Sequence, residues 1–172
     1  NHVKIYAMET DSFDTWVIDS ILGDFSNKVV MESHFAYVHV GRAGGNPAGM
    51  DRIYKYDILT SQSSSPIDST LEISGIQSFE ISGDRIIISK GYPSSANFVE
   101  VVDKNNLQTS LYNDVTIMGS CAGIALMDNK AYIASTDFGA NAGVIHVIDL
   151  GSTISNEGSI VMDTLSTGAS QI

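Results

Sequence analysis

Ile145-His146-Val147-Ile148-Asp149 is the stretch that decides the fold, because its pattern recurs along the chain. It occurs earlier as Ile53-Tyr54-Lys55-Tyr56-Asp57 and as Val99-Glu100-Val101-Val102-Asp103, so the closing aspartates stand 46 residues apart both times. Thr15-Trp16-Val17-Ile18-Asp19 is a degenerate first copy. A period of roughly 20–50 residues is the signature of a repeat architecture, so the chain has to be interpreted repeat by repeat.

Each closing run is preceded by two other apolar runs and followed by a weaker one. In the last repeat these are residues 123–127 and 130–134 before it, and residues 159–162 after it. The first two runs are separated by tight polar turns, Gly83-Asp84 and Asp128-Asn129, which are typical of two-residue β-hairpins. No stretch has the i, i+3, i+4 apolar spacing of a helix. Four short strands per repeat therefore predict an all-β chain.

About 46 residues and four antiparallel strands are the size of one blade of a β-propeller, and the chain holds about three and a half of them. The expected boundaries are a partial blade at 1–28, blades at 29–77, 78–121 and 122–166, and the start of another blade at 167–172. We favour part of a larger propeller of about six to eight blades, its remainder in the same or another chain, because an open arc exposes sheet edges. A closed ring of four blades is the alternative.

The closing aspartates have a structural explanation. A carboxylate at the first position of a turn accepts backbone N–H groups, so Asp57, Asp103 and Asp149 should end the third strand and start the reversal into the fourth. A catalytic carboxylate would not be expected once in every repeat. The predicted fourth strands contain residues 71–73, 110–112 and 159–162.

Composition excludes several kinds of partner and site. Twenty acidic residues against nine basic ones give a formal net charge of −11, which opposes binding to nucleic acid or anionic lipid. No apolar run is long enough for a membrane span. Cys121 is the only cysteine, so no disulfide within the chain is possible, and its apolar neighbours predict a buried core thiol. No cofactor or metal site is predicted, with calcium at the acidic turn 9–14 as a weaker alternative.

Two repeats resemble a known family. Lys130-Ala131-Tyr132-Ile133-Ala134 followed by Val144-Ile145-His146-Val147-Ile148-Asp149 is similar to the YncE-type, or YVTN, propeller repeat, and the second repeat has Arg85-Ile86-Ile87-Ile88 before Val99-Glu100-Val101-Val102-Asp103. The resemblance covers residues 29–162 best. It implies a propeller of the periplasmic or surface kind found in Bacteroidetes-like bacteria, some of which are lipoproteins that capture nutrients such as cobalamin. It carries no ligand-binding residue over to this chain.

The connections between second and third strands are longer than a hairpin needs. They cover residues 41–52, 91–97 and 136–143, and loops of this kind often bind ligands because their side chains need not fill a core. Polar rim groups and aromatic contacts within them are the predicted ligand-binding residues: Arg42, Arg52, Tyr92, Asp137, Phe138 and Asn141.

The leading functional hypothesis is a non-catalytic, extracytoplasmic binding propeller, in the periplasm or at the cell surface. Its loops would bind a small molecule, a glycan or a partner protein, and nutrient capture is one such role. No nucleophile with its base and orienting acid is recognisable in the sequence. Two alternatives stay open: an enzyme with its site at the propeller channel, such as a lyase or hydrolase, and an adhesion or architectural module of a surface protein.

Overall fold

The computed structural model describes most of the chain. Its described backbone covers residues 2–9, 12–19, 25–41, 51–59, 65–73, 75–91, 99–114, 120–137 and 142–162; its described side chains begin at residue 28 and leave out residue 137. Every regular element in these ranges is a β-strand, which confirms the all-β prediction for this part of the chain. The same ranges hold no helix that could serve as a membrane span.

Fourteen strands are present in the described ranges. They are β1 (His2–Glu9), β2 (Ser12–Asp19), β3 (Phe25–Glu32), β4 (Phe35–Gly41), β5 (Arg52–Asp57), β6 (Asp68–Ser69), β7 (Ile76–Ser82), β8 (Arg85–Lys90), β9 (Val99–Asp103), β10 (Asn106–Asp114), β11 (Ser120–Met127), β12 (Lys130–Asp137), β13 (Ala142–Asp149) and β14 (Ser155–Val161). β1 and β2 pair with each other as an antiparallel hairpin.

The other strands form three antiparallel sheets with the same topology. Sheet I has the order β3-β4-β5-β6, sheet II the order β7-β8-β9-β10, and sheet III the order β11-β12-β13-β14. The register also repeats, because each closing aspartate pairs with the first residue of the second strand, as in Arg85↔Asp103 and Lys130↔Asp149. Residues in different sheets can therefore be matched position by position, and we call such residues repeat-equivalent.

The predicted hairpin turns are confirmed. Gly83-Asp84 joins β7 to β8, and Asp128-Asn129 joins β11 to β12. Gly83 has φ 56°, Asp128 has φ 49° and Asn129 has φ 62°. Left-handed backbone of this kind matches the twist of paired strands, and Gly, Asp and Asn adopt it at the lowest cost.

The closing aspartates also have the predicted role. An Oδ1 atom of each one accepts the backbone N–H group two residues later, at 3.0 Å for Asp57, 2.8 Å for Asp103 and 3.0 Å for Asp149. These hydrogen bonds reverse the chain from the third strand towards the fourth. The recurring aspartate is thus a turn residue in all three sheets.

The fourth strand of sheet I differs from the prediction. β6 is only two residues long and starts at Asp68, before the predicted 71–73 run. The Thr70 hydroxyl accepts the Ile53 N–H group at 3.0 Å, so a side chain replaces part of the ladder. Pairing resumes at Ile73, which bridges to Asp51. Such an interruption depends on one side-chain hydrogen bond across the sheet, which strand propensity does not encode.

The three sheets pack face to face, with sheet II in the middle. β7, the first strand of sheet II, lies beside β3 on one side and β11 on the other. One apolar core joins sheets I and II, and another joins sheets II and III. The first contains Tyr37, Ile53, Phe79, Ile86, Ile88 and Val102. The second contains Ile87, Val99, Val101, Cys121, Ile133 and Ile148.

A hydrogen bond to the turn after the closing aspartate recurs between sheets. The Lys55 ammonium of sheet I donates to the Lys104 carbonyl of sheet II at 3.4 Å. The Arg85 guanidinium of sheet II donates to the carbonyls of Leu150 and, at 2.8 Å, Gly151 in sheet III. Lys104 and Leu150 are repeat-equivalent. Sheets I and II therefore each supply a cation to the same turn of the next sheet.

Candidate functional site

In each of the three sheets, a long connection joins the second strand to the third strand at the same end of the sheet. We call this end the loop end. Gly91 at the end of sheet II lies against Ser120 and Cys121 at the start of sheet III, so the loop ends of these two sheets are adjacent. Residues 42–50, 92–98 and 138–141 are outside the described residues. Predicted site residues Arg42, Tyr92, Phe138 and Asn141 fall there, and they stay predictions.

Asp137 and Arg52 are the two predicted site residues within the described backbone. Asp137 ends β12 opposite Ala142, at the base of the third connection, and only its backbone is described. Arg52 begins β5 at the base of the first connection. Its guanidinium donates to Glu72 Oε1 at 3.0 Å and to the Thr70 carbonyl at 3.3 Å. A ligand at Arg52 would therefore compete with the Glu72 carboxylate.

Sheets I and II carry acid and base pairs on their facing surfaces near the loop end. Lys90 and Glu100 of sheet II form an ion pair at 2.6 Å, with side chains only 5% and 14% exposed. Strand alternation places Lys90 on the same face as Ile88, towards sheet I. Burial lowers the pKa of Lys90, and its hydrogen bond to Glu100 opposes that shift.

The opposing surface of sheet I has His39 and Asp51. His39 is 1% exposed, and its Nε2 atom lies 3.9 Å from Asp51 Oδ2. The same carboxylate oxygen accepts the Ile76 N–H group of sheet II at 2.9 Å. A charged residue at the end of the first connection therefore holds the first strand of the next sheet.

Sheets II and III have a different polar group at the corresponding place. Ser135 Oγ and His146 Nε2 are 2.9 Å apart, and both residues are buried. Asp114 of sheet II accepts hydrogen bonds from the Tyr112 hydroxyl at 3.0 Å and from Asn156 Nδ2 of sheet III at 2.7 Å. Burial lowers the pKa of His146, while the charge of Asp114 opposes this shift.

Serine, histidine and aspartate are the residue types of a hydrolytic triad, so the chemistry of this group has to be considered. Ser135 is 0% exposed and Asp114 is 5% exposed. A nucleophile needs a substrate carbonyl within reach of its oxygen, and a fully buried hydroxyl does not allow that approach. The hydrogen bonds of Asp114 to Tyr112 and Asn156 satisfy its carboxylate internally. The arrangement acts as a polar link between sheets.

The pair positions are repeat-equivalent across the three sheets. Lys90 and Glu100 in sheet II correspond to Ser135 and His146 in sheet III, and to Val40 and Tyr54 in sheet I. The same two positions thus hold an ion pair, a hydroxyl–imidazole hydrogen bond and an apolar–aromatic pair. Sequence interpretation missed these pairs because their members lie on different strands. Aligning the repeats on their closing aspartates matches Tyr54, Glu100 and His146, but the second-strand members stand at different distances from those aspartates and are matched only by the strand register.

Cys121 is a core residue, as predicted. It is fully buried in the apolar core between sheets II and III. Burial raises the pKa of its thiol to about 12, so the thiol is protonated at neutral pH and is a poor nucleophile. Residues 10 and 11 of the acidic turn are outside the described residues, and so are the side chains of Glu9 and Asp14. The alternative of a calcium site at this turn therefore stays a prediction.

Comparison with known proteins adds no family to these observations. No protein-family model matches the sequence. No curated protein matches it either.

Proposed function

We propose that the chain belongs to a β-propeller of the YncE type and acts as a non-catalytic binding scaffold whose ligand contacts lie at the loop end. The observation that carries this proposal is the face-to-face packing of three sheets with the same strand order and register. Propellers are built from four-stranded antiparallel sheets repeated around an axis, and stacked sheets of equal topology support that fold. Packing of this kind supports the proposal that the long connections of neighbouring sheets lie side by side on one surface.

The groups beneath the loops support a role as a rigid base. Lys90 is paired with Glu100, and His146 is hydrogen-bonded to Ser135. Buried polar groups satisfied in this way fix the relative positions of the strands that begin and end the second and third connections. A base of fixed geometry reduces the ordering cost that a binding loop has to meet when a ligand arrives.

The composition of the predicted loop residues favours a ligand with both polar groups and flat apolar surfaces. Tyr92 and Phe138 offer aromatic faces, and Arg42, Asp137 and Asn141 offer donors and acceptors. Glycans, small molecules such as cobalamin and exposed protein segments have this mixed chemistry. We propose capture of such a ligand outside the cytoplasm, in the periplasm or at the cell surface, as the YncE-type resemblance implies.

A ligand screen with loop variants tests the proposal. The intact protein is screened by thermal shift against cobalamins and a panel of neutral and acidic oligosaccharides, and any ligand found is measured by calorimetry. Replacing Tyr92 and Phe138 with Ala should weaken binding by about tenfold or more, because aromatic contacts carry a large share of binding energy. Leu59→Ala, at a 74% exposed position beside a turn, is the matched control and should bind like the parent.

Product analysis of the same mixtures separates binding from catalysis. A binding scaffold returns the ligand unchanged after long incubation, whereas a lyase or hydrolase yields fragments. Turnover that is lost in Ser135→Ala would replace the proposal with an enzymatic function. Equal affinity of the loop variants and the parent protein would refute the assignment of the ligand to the loop end.

A further inference from the structure

The hydroxyl of Tyr37 is a buried polar group to which no described residue is hydrogen-bonded. Tyr37 is 0% exposed and belongs to the apolar core between sheets I and II. Buried polar groups in folded proteins are almost always hydrogen-bonded, because burial removes the water that would otherwise bind them. An exception in the middle of a packed core therefore requires a partner, and an internal water molecule typically fills that role.

Two carboxylates lie close enough to act on this hydroxyl. Tyr37, Lys55 and Asp68 are neighbours in one row across β4, β5 and β6. Cross-strand neighbours share a face, so the row lies on the side of sheet I that packs against sheet II. Burial raises the pKa of Tyr37 to about 12, and the charges of Glu32 and Asp68 add to this shift. The hydroxyl thus senses both carboxylates although it is hydrogen-bonded to neither.

The ammonium group of Lys55 adds hydrogen-bond donors to the same row. It has three N–H donors but, within the described residues, makes a single hydrogen bond, to the Lys104 carbonyl at 3.4 Å. Its nitrogen is 5.6 Å from the centre of the Tyr37 ring and 4.4 Å from the centre of the Phe35 ring. The ammonium therefore lies beside Tyr37 with donors that its protein contacts do not use.

In the next interface the same row is apolar. The repeat-equivalents of Tyr37 and Lys55 in sheet II are Ile87 and Val101, which pair in the same register. Both are 0% exposed in the core between sheets II and III. Stacking of two sheets therefore does not require polar groups in this row, and the polar groups of sheet I need a different explanation.

We propose that Tyr37, Lys55 and Asp68 bind one ordered water molecule inside the interface between sheets I and II. The water accepts hydrogen bonds from the Tyr37 hydroxyl and the Lys55 ammonium, and it donates one to the Asp68 carboxylate. Three hydrogen bonds are the usual number for an internal water. The site uses no residue of the predicted loop-end ligand site, so the proposal does not depend on ligand capture there.

The charges around the site favour a neutral ligand. Lys55 and Lys104 are the two cations, and Glu32 and Asp68 are the two carboxylates. The Lys104 ammonium is 2.8 Å from Glu32 Oε2, which leaves one cation and one carboxylate in the row of Tyr37. A bound ion would leave a net charge inside the core, at a high cost in desolvation, whereas water adds none.

The variant Tyr37→Phe tests the site, because it removes only the hydroxyl. Oxygen-17 magnetic relaxation dispersion counts the internal waters that exchange slowly, and urea unfolding gives the stability. The variant should have one such water fewer than the parent, and its unfolding equilibrium constant should rise about two- to tenfold because a buried hydrogen bond is lost. Tyr54→Phe, at a half-buried position on the opposite face of sheet I, is the matched control and should equal the parent in both measurements.

Three results would overturn the proposal. The first is an equal number of slowly exchanging waters in Tyr37→Phe and in the parent. The second is a Tyr37→Phe variant at least as stable as the parent, because removing an unsatisfied hydroxyl relieves its desolvation cost. The third comes from the double variant Tyr37→Ile, Lys55→Val, which copies the apolar pair of sheet II and should lose the same water. If it keeps the parent's number, the water lies elsewhere.

Discussion

The ion pair between Lys90 and Glu100 allows the sharpest test of what stabilises the face of sheet II that packs towards sheet I. Both side chains are almost removed from solvent, at 5% and 14% exposed, and their charged atoms are 2.6 Å apart. Replacing Lys90 with Met keeps the aliphatic stem but leaves the Glu100 carboxylate buried without its cation. Loss of one partner from a buried pair typically costs about 3–5 kcal/mol, so Lys90→Met should lower the free energy of unfolding by that amount.

Replacing both partners should restore most of the loss. The repeat itself supplies the replacement, because sheet I has Val40 and Tyr54 at the positions of Lys90 and Glu100. The double variant Lys90→Val, Glu100→Tyr removes both charges and should lie within about 1–2 kcal/mol of the parent, since apolar pairs often substitute for buried ion pairs without loss.

Urea unfolding followed by circular dichroism gives the free energies for the parent, Lys90→Met, the single variants Lys90→Val and Glu100→Tyr, and the double variant. Lys130→Met is the matched control, because the Lys130–Glu157 pair is exposed and its loss should change the unfolding midpoint little. Two results would refute the reasoning. One is a Lys90→Met variant as stable as the control, and the other is a double variant destabilised by the full sum of the single substitutions.

Three other predictions concern the interface between sheets II and III. Burial holds the pKa of His146 below 6.5, so the folded protein binds fewer protons than the unfolded chain just below that pH. The stability that this residue contributes is therefore complete above pH 6.5 and declines on acidification. The urea midpoints measured at pH 7.5 and pH 5.5 should differ less in His146→Gln than in the parent protein. An equal difference in the two proteins would contradict this prediction. Arg85→Met loses the hydrogen bonds to the turn carbonyls of sheet III and should lower the free energy of unfolding by about 1–3 kcal/mol in the same assay. An unchanged free energy of unfolding would show that these bonds are dispensable. Cys121 should not react with a thiol reagent until urea unfolds the protein, and rapid labelling of the native protein would show that its burial is wrong.

Local features of the fold were predictable from the sequence, and features that depend on distant partners were not. Asp103 and the Asp128-Asn129 turn act through hydrogen bonds and backbone angles within a few residues, so their roles follow from residue type and position. The short β6 depends on the Thr70 hydroxyl meeting a strand 17 residues away. The partners in the Ser135–His146 hydrogen bond lie on adjacent strands, 11 residues apart in sequence. Single-sequence patterns do not report such pairings.

The division between constant and variable positions in the repeat bears on the proposed function. The closing aspartates and the aliphatic positions at Ile53, Val99 and Ile145 keep the same chemistry in all three sheets, as stacking requires. The pair positions next to the loop end change from apolar to ionic to neutral polar, although the strands around them keep their register. Variation at the residues that support the long connections is what we expect if each connection is held differently to meet a different part of one ligand.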